Sequence, residues 1–312
     1  METRKVQRLG PSTLAMTLPA DWAKAQTVEK GDEVSLRVGG KGSLTVLPES
    51  VTSEESEAVI NAGSLDADAV ERAIVAQYVL GRRIIHVDAG DDETLKSTHI
   101  NAIYNAETQL MGLGVIEETP ERIAIRCSVD PADFTLDNLM ERLESTGSTM
   151  RNEAVKALAH SNPDIAQRAL NRERQANKIF VLLLRLTFTA FQNPNLARAV
   201  GLDDTFPLLG YRAMAKNLEL TADNAEDIAE IALEAEDNAL NVDSATMRRI
   251  REFTDQVNEI SELAVGAAVN RDYDAAIEVR ERFAEISDRE QEILSDLPEM
   301  DNEPLLQVRE VL

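Results

Sequence analysis

The run from Tyr211 to Leu233, YRAMAKNLELTADNAEDIAEIAL, sets the narrowest limits on the fold. Tyr211, Ala215, Leu218, Ala222, Ala225, Ala229 and Ala232 recur at alternating spacings of four and three, the apolar seam of a helix packed lengthwise against other helices. Alanines in such a seam let neighbouring backbones come close. Glu219 and Asp223 stand four apart and stack on one flank of the same helix. Two like charges so placed cost about 0.2–0.5 kcal/mol. Solvent, salt, an arginine from a neighbour or a metal ion must offset them.

Charge is unevenly distributed. The 312 residues hold 56 Asp plus Glu against 32 Lys plus Arg, a net charge of −24. Residues 1–48 carry seven basic residues (Arg4, Lys5, Arg8, Lys24, Lys30, Arg37, Lys41) and five acidic ones, +2, so the remainder carries −26. A body this acidic repels nucleic acid and anionic membranes, and any polyanion partner has to meet the N-terminal segment. Only eight of the basic residues are Lys, and this acidic, Lys-poor surface suits a cytosol at very high salt, so a halophilic source is expected. Cys127 stands alone, which fits a reducing cytoplasm and a small buried residue in a strand. Neither a signal-type apolar region nor an eighteen-residue apolar run occurs, and the chain is expected to be soluble and cytoplasmic.

Residues 4–9 alternate polar and apolar side chains, Gly10-Pro11-Ser12 turns the chain, and 14–18 reads as a second strand. Pro19 opens a short helix through Ala25. Strands follow at 33–38 and 44–47, separated by a reversal at Gly39-Gly40-Lys41-Gly42. About fifty residues with four short strands make little core, and a dimer sharing strands would solve that. The basic residues here have two readings, contacts to a polyanion or solvated edge-strand charges that discourage aggregation.

The order RKVQRLG, LPADWAK, VEKGDEVSLRV, Gly-rich turn and LTVLPE resembles the AbrB/SpoVT/MazE family of swapped-hairpin DNA-binding domains. The resemblance implies a homodimer through residues 1–49 and DNA contacts from Arg4, Lys5, Arg8 and Ser12 of the first strand and its turn, and from Lys24 of the short helix. The hairpin between Gly10 and Pro19 is longer than the usual pattern and lacks the arginine often found after the glycine. Phosphate contacts are therefore expected in preference to base-specific ones.

Residues 50–130 read as a small α/β connector: an acidic linker over 49–64 leading into a helix, helices at 66–80 and 92–111, a strand at 83–87, and a hairpin of 115–118 with 122–127. His86, His99 and His160 have no ligand spacing. Neither a nucleophile motif nor a phosphate-cradling glycine loop is present, so no enzymatic activity is expected.

From about Leu136 only helical periods appear. One helix runs to His160, Asn162 caps the next with Pro163 at its first position, and Asn193-Pro194 stops that one. Sliding the chain by 110 residues aligns Ala154 with Ala264, Val155 with Val265, Asp164 with Asp274, Arg172 with Arg282 and Pro194 with Pro304. This implies a duplicated three-helix unit, repeat 1 over 133–242 and repeat 2 over 243–312. The second copy has helices at 245–269 and 271–296 and lacks a counterpart to Glu219, and a truncated chain is the expectation.

Helices in threes with Glu-x-x-x-Asp on the third, and the stretch NLELTADNAEDIAEIAL, resemble the PhoU family over about 134–312. The connector and N-terminal segment are like those of archaeal PhoU-type regulators. The resemblance implies regulation of phosphate uptake and a possible divalent or iron-type metal ion at Glu219 and Asp223, with Asp227 added and Glu173 from the second helix. Asn177 stands where an acid is usual.

The expected fold class is multidomain α+β: a swapped-hairpin β domain, a small α/β connector and a PhoU-like three-helix-bundle repeat. The expected function is a DNA-binding transcriptional regulator of phosphate uptake that recognises an operator. The alternative is a scaffold that dimerises and docks on a phosphate transporter ATPase or a sensor kinase, and an antitoxin-like repressor is a third reading.

Overall fold

The computed structural model describes residues 3–38, 42, 44–48, 57–90, 94–234 and 244–296. The chain divides into two compact units, Met1–Glu55 and Ser56–Leu312.

In the first unit, β1 (Gln7–Arg8) pairs antiparallel with β2 (Leu14–Ala15), α1 spans Ala20–Ala25, and β3 (Val34–Val38) pairs antiparallel with β4 (Leu44–Pro48). The first two strands are far shorter than the sequence alternation suggests. With no third strand beside them in one chain, only the residues next to the turn keep ladder hydrogen bonds. Most of the expected glycine reversal lies outside the described residues.

The second unit opens with a correction. Where an acidic linker was expected, Glu57–Asn61 forms β5, which pairs in parallel with β6 (Ile84–Asp88). Ile60 is buried while Glu57, Val59 and Asn61 are exposed, so a long-range partner converts a weak local pattern into a strand. The rest of the expected linker, through residue 56, lies outside the described residues. β7 (Leu113–Glu118) and β8 (Arg122–Cys127) complete a sheet of order β5-β6-β8-β7, with Cys127 buried on β8. Helices α2 (Ala67–Val79, capped by Asp66) and α3 (Ser97–Gln109) pack together beside it. The connecting residues 91–93, where a helix start was expected, lie outside the described residues.

The helical body comprises α4 (Leu136–His160), α5 (Pro163–Gln192), α6 (Pro194–Ala199), α7 (Leu208–Glu234), α8 (Ser244–Asn270) and α9 (Tyr273–Ser295). Thr135 and Asn162 cap α4 and α5 with their side chains, and Pro163 occupies the first turn of α5. The helix break at Asn193-Pro194 is followed by another helix, α6, because a proline that ends one helix is well suited to begin the next. Along α7 the seam is buried at Ala215, Ala222, Ala225, Ala229 and Ala232 and half-buried at Tyr211 and Leu218. Helices α4, α5 and α7 pack mutually, α8 packs on α4, and α9 packs on α8.

One core runs from the sheet layer into the bundle: Ile74, Tyr78, Ile85, Ile123 and Ile125 join Leu139, Leu143, Ile179, Leu182 and Leu186 without a break. The divisions expected near residues 130 and 242 therefore fall within a single compact unit. The seven buried positions of α8 (Thr246, Ile250, Phe253, Thr254, Ile260, Val265, Ala267) each lie 110 residues after a buried position of α4. The caps repeat too: Ser161 (φ 47°) then Asn162 in one copy, Arg271 (φ 55°) then Asp272 in the other. Residues 297–312, including the expected approach to a sixth bundle helix, lie outside the described residues.

Candidate nucleic-acid interface and acidic helix face

Arg4, Lys5 and Arg8 precede or lie in β1, Ser12 sits in the following turn, and Lys24 occupies the last turn of α1. All five are exposed. The hairpin closes through Leu9 N–H donating to the Thr13 carbonyl at 3.1 Å, with Arg8 opposite Leu14. This places Arg8 and Ser12 close together at one end of a short ribbon, a geometry suited to phosphate contacts.

The same unit exposes unusual apolar surface. Val6, Leu9, Leu14, Met16, Leu36 and Leu44 are exposed, Leu9 at 72% and Leu36 at 63%, and none of residues 3–34 is buried. A segment that buries nothing in one chain has its core to find in another. Among the described residues the strands of this unit form two separate two-stranded ribbons.

The second candidate lies between α5 and α7. Glu173 of α5 is half-buried and within electrostatic reach of Asp223 and Glu219 of α7. Burial, then the Asp223 charge, pushes the Glu173 carboxyl above the usual carboxylate range, with Arg174 opposing and Glu219 adding. Asp223 is pushed up by burial and Glu219, with Lys216 opposing. Glu226, absent from the sequence-based set, belongs to the same group: burial, then Glu173, then Glu230, raises its carboxyl. Its spacing could have revealed it, since 219, 223, 226 and 230 form a second stripe of alternating fours and threes beside the alanine seam. Asp227 is exposed but close enough to act on both Asp223 and Glu226.

The charge that meets this stripe is Lys216, whose ammonium pairs with Glu219 and lies 5.7 Å from the Phe180 ring centroid on α5. Among the described residues no group of three or more His, Cys, Asp or Glu side chains is placed to hold a metal ion. The set Glu173, Glu219, Asp223 and Asp227 thus gathers along the α5–α7 contact without forming a ligand cage among the described residues. Two of the three histidines have structural partners: His86 meets Glu57 at 3.2 Å, and buried His99 meets the Leu65 carbonyl at 3.0 Å.

The helices carrying this face decide the comparison with known families. Residues 140–232 match the PhoU domain. This match spans α4 to α7 and includes Glu173, Glu219, Asp223 and Glu226, while α8 and α9 lie beyond it. Residues 7–53 match the family described as antidote-toxin recognition MazE, bacterial antitoxin, which covers β1 to β4. No curated protein and no solved structure gives a significant match. Among the described residues no helix is long and apolar enough to cross a membrane.

Proposed function

We propose that this chain is a non-enzymatic, DNA-binding regulator of phosphate uptake, dimeric through residues 1–49, whose PhoU-like body relays phosphate status to the N-terminal ribbon. The observation that carries the reading is an exposed basic set, Arg8 and Lys24 on the MazE-like segment and Arg4 and Lys5 just ahead of it, in a chain whose remainder is strongly acidic. The acidic body is repelled by a polyanion and the ribbon is attracted, so DNA would be drawn to the first unit and not to the second. The PhoU match supports phosphate-uptake regulation as the physiological setting. A halophilic archaeal cytoplasm is the proposed location, and its salt would make affinity modest unless shape readout adds to phosphate contacts.

The test is a gel shift of a phosphate-transporter promoter fragment with wild type and with Arg4→Ala and Lys5→Ala across a salt series. Salt-sensitive binding weakened by both substitutions supports the regulator. Binding unchanged by either removes the ribbon from DNA recognition and leaves a dimeric scaffold for a transporter ATPase or sensor kinase.

A further inference from the structure

The α4–α8 seam contains a buried polar chain. Glu144 and Arg151, both on α4 and both buried, lie 3.5 Å apart at Oε1 and Nη2. Arg151 Nε donates to Asn258 Oδ1 on α8 at 2.7 Å, and Asn258 Nδ2 donates to Asn152 Oδ1 back on α4 at 2.8 Å. Gly147 lies beside the pair, and a Cβ there would meet the Arg151 guanidinium at 3.6 Å. The chain emerges at a cleft of about 190 Å³ lined by Asn152, Val155 and Lys156 of α4 and Arg251, Thr254 and Asp255 of α8.

Lys156 and Arg251 come from opposite walls of this cleft, and both are exposed. Neither forms an ion pair among the described residues, in a chain with 56 carboxylate side chains. The carbonyl end of Asn152 accepts from Asn258, so its amino group is the end left to donate. Two cations and an amide N–H group from two helices are the donor set of an oxyanion site. Asp255, on the α8 wall, adds selectivity. Its ionised carboxylate only accepts hydrogen bonds. Hydrogen phosphate has an O–H to donate to it at neutral pH, and sulfate has none.

We infer that the α4–α8 cleft binds hydrogen phosphate, with Lys156, Arg251 and the Asn152 amide as donors and Asp255 as acceptor. This deepens the function proposed above by assigning the place where the body reads the anion, and it rests on that reading only for physiological relevance. A bound anion joins the two repeats across their seam and holds Asn152 in the orientation that the buried Asn258–Arg151 chain requires.

Equilibrium dialysis of the full chain against labelled inorganic phosphate tests it. One saturable site per chain is expected, weakened at least tenfold by Lys156→Ala and by Arg251→Ala, and unchanged by Arg198→Ala on α6. Unlabelled sulfate is expected to compete poorly against wild type and as well as phosphate against Asp255→Asn. Absence of a saturable site, or equal affinity in the Lys156 and Arg251 variants, overturns the assignment. Sulfate competing equally with wild type overturns the role of Asp255. The promoter gel shift, run on the same samples, fails or succeeds independently, so loss of DNA binding with phosphate binding intact sinks only the regulator reading.

Discussion

The guanidinium of Arg185 lies 4.7 Å from the ring centroid of Tyr78 and donates to that residue's own backbone carbonyl. It also donates to the carbonyls of Arg82 at 3.1 Å and Gly81 at 3.2 Å. One buried side chain of α5 therefore adds charged hydrogen bonds at the C-terminal end of α2, where the Tyr78 carbonyl also accepts from Gly81 N–H at 3.0 Å and a cation complements the dipole. Replacing Arg185 with Ala is expected to cost about 3 kcal/mol, because it removes three charged hydrogen bonds from a buried guanidinium together with its packing on Tyr78. Urea unfolding measures it, and a loss below about 1 kcal/mol would show that water replaces the guanidinium.

Glu173, Asp223 and Glu226 hold protons to higher pH in the folded chain than their ordinary values allow. Where the folded state binds more protons than the unfolded one, stability falls as pH rises. The penalty is absent below the unfolded carboxylate values, about 4, and complete above the raised folded ones. Glu173→Gln is thus expected to stabilise the chain at pH 7 by about 0.5 kcal/mol and to lose that advantage in acid. Thermal melts at the two pH values check the sign, and a destabilised variant at pH 7 would refute it.

Arg151 is buried beside Glu144, whose carboxyl is itself pushed up by burial and lowered again by Ser261 and Arg151. Arg151→Met alone leaves a buried carboxylate without its partner and is expected to cost about 3–5 kcal/mol. Adding Glu144→Leu should recover most of that loss. A double-mutant cycle by chemical denaturation reads the coupling, and additive losses would mean that the pair does not interact.

The apolar side chains exposed on the N-terminal unit give a different kind of prediction. Leu36→Asp places a charge on surface that a second copy would cover, so sedimentation is expected to show monomer where the wild type shows dimer. Dimer of unchanged stability would place the interface elsewhere.

Ser161 and Arg271 both sit in the left-handed region between consecutive helices. Glycine adopts that conformation without the side-chain cost, and Arg271→Gly is expected to raise stability by about 0.5–1 kcal/mol. Asp272→Ala removes the bonds to the Asp274 and Ala275 backbone N–H groups and should cost about 1 kcal/mol. Melting temperatures moving in opposite directions would establish the cap.

Much of this architecture is legible because local chemistry and tertiary packing agree. Asn162-Pro163 announces a helix start in four letters of context, and the α7 alanines announce a close-packed seam. The 110-residue register, visible in scattered identities, reappears in buried positions that share no residue type, such as Thr246 with Leu136 and Thr254 with Glu144. What sequence reading misses is made by distant partners. β5 exists because β6 pairs with it, and nothing in Glu57–Asn61 alone outweighs its acidic flank. The cation that pairs with the acidic face, Lys216, lies one turn before Glu219 on the same flank, where in the sequence it passes for ordinary solvated charge.

Because α9 packs on α8 and α8 packs on α4, the last two helices hang from the body as links in series. A series connection is only as strong as its weakest joint, and this one is interrupted at its middle by amides and a carboxylate in place of methyl groups. A cut along that line would part α8 and α9 from α4 and leave the mutual packing of α4, α5 and α7 untouched, so most of the repeat-to-repeat cohesion rests on a single helix pair.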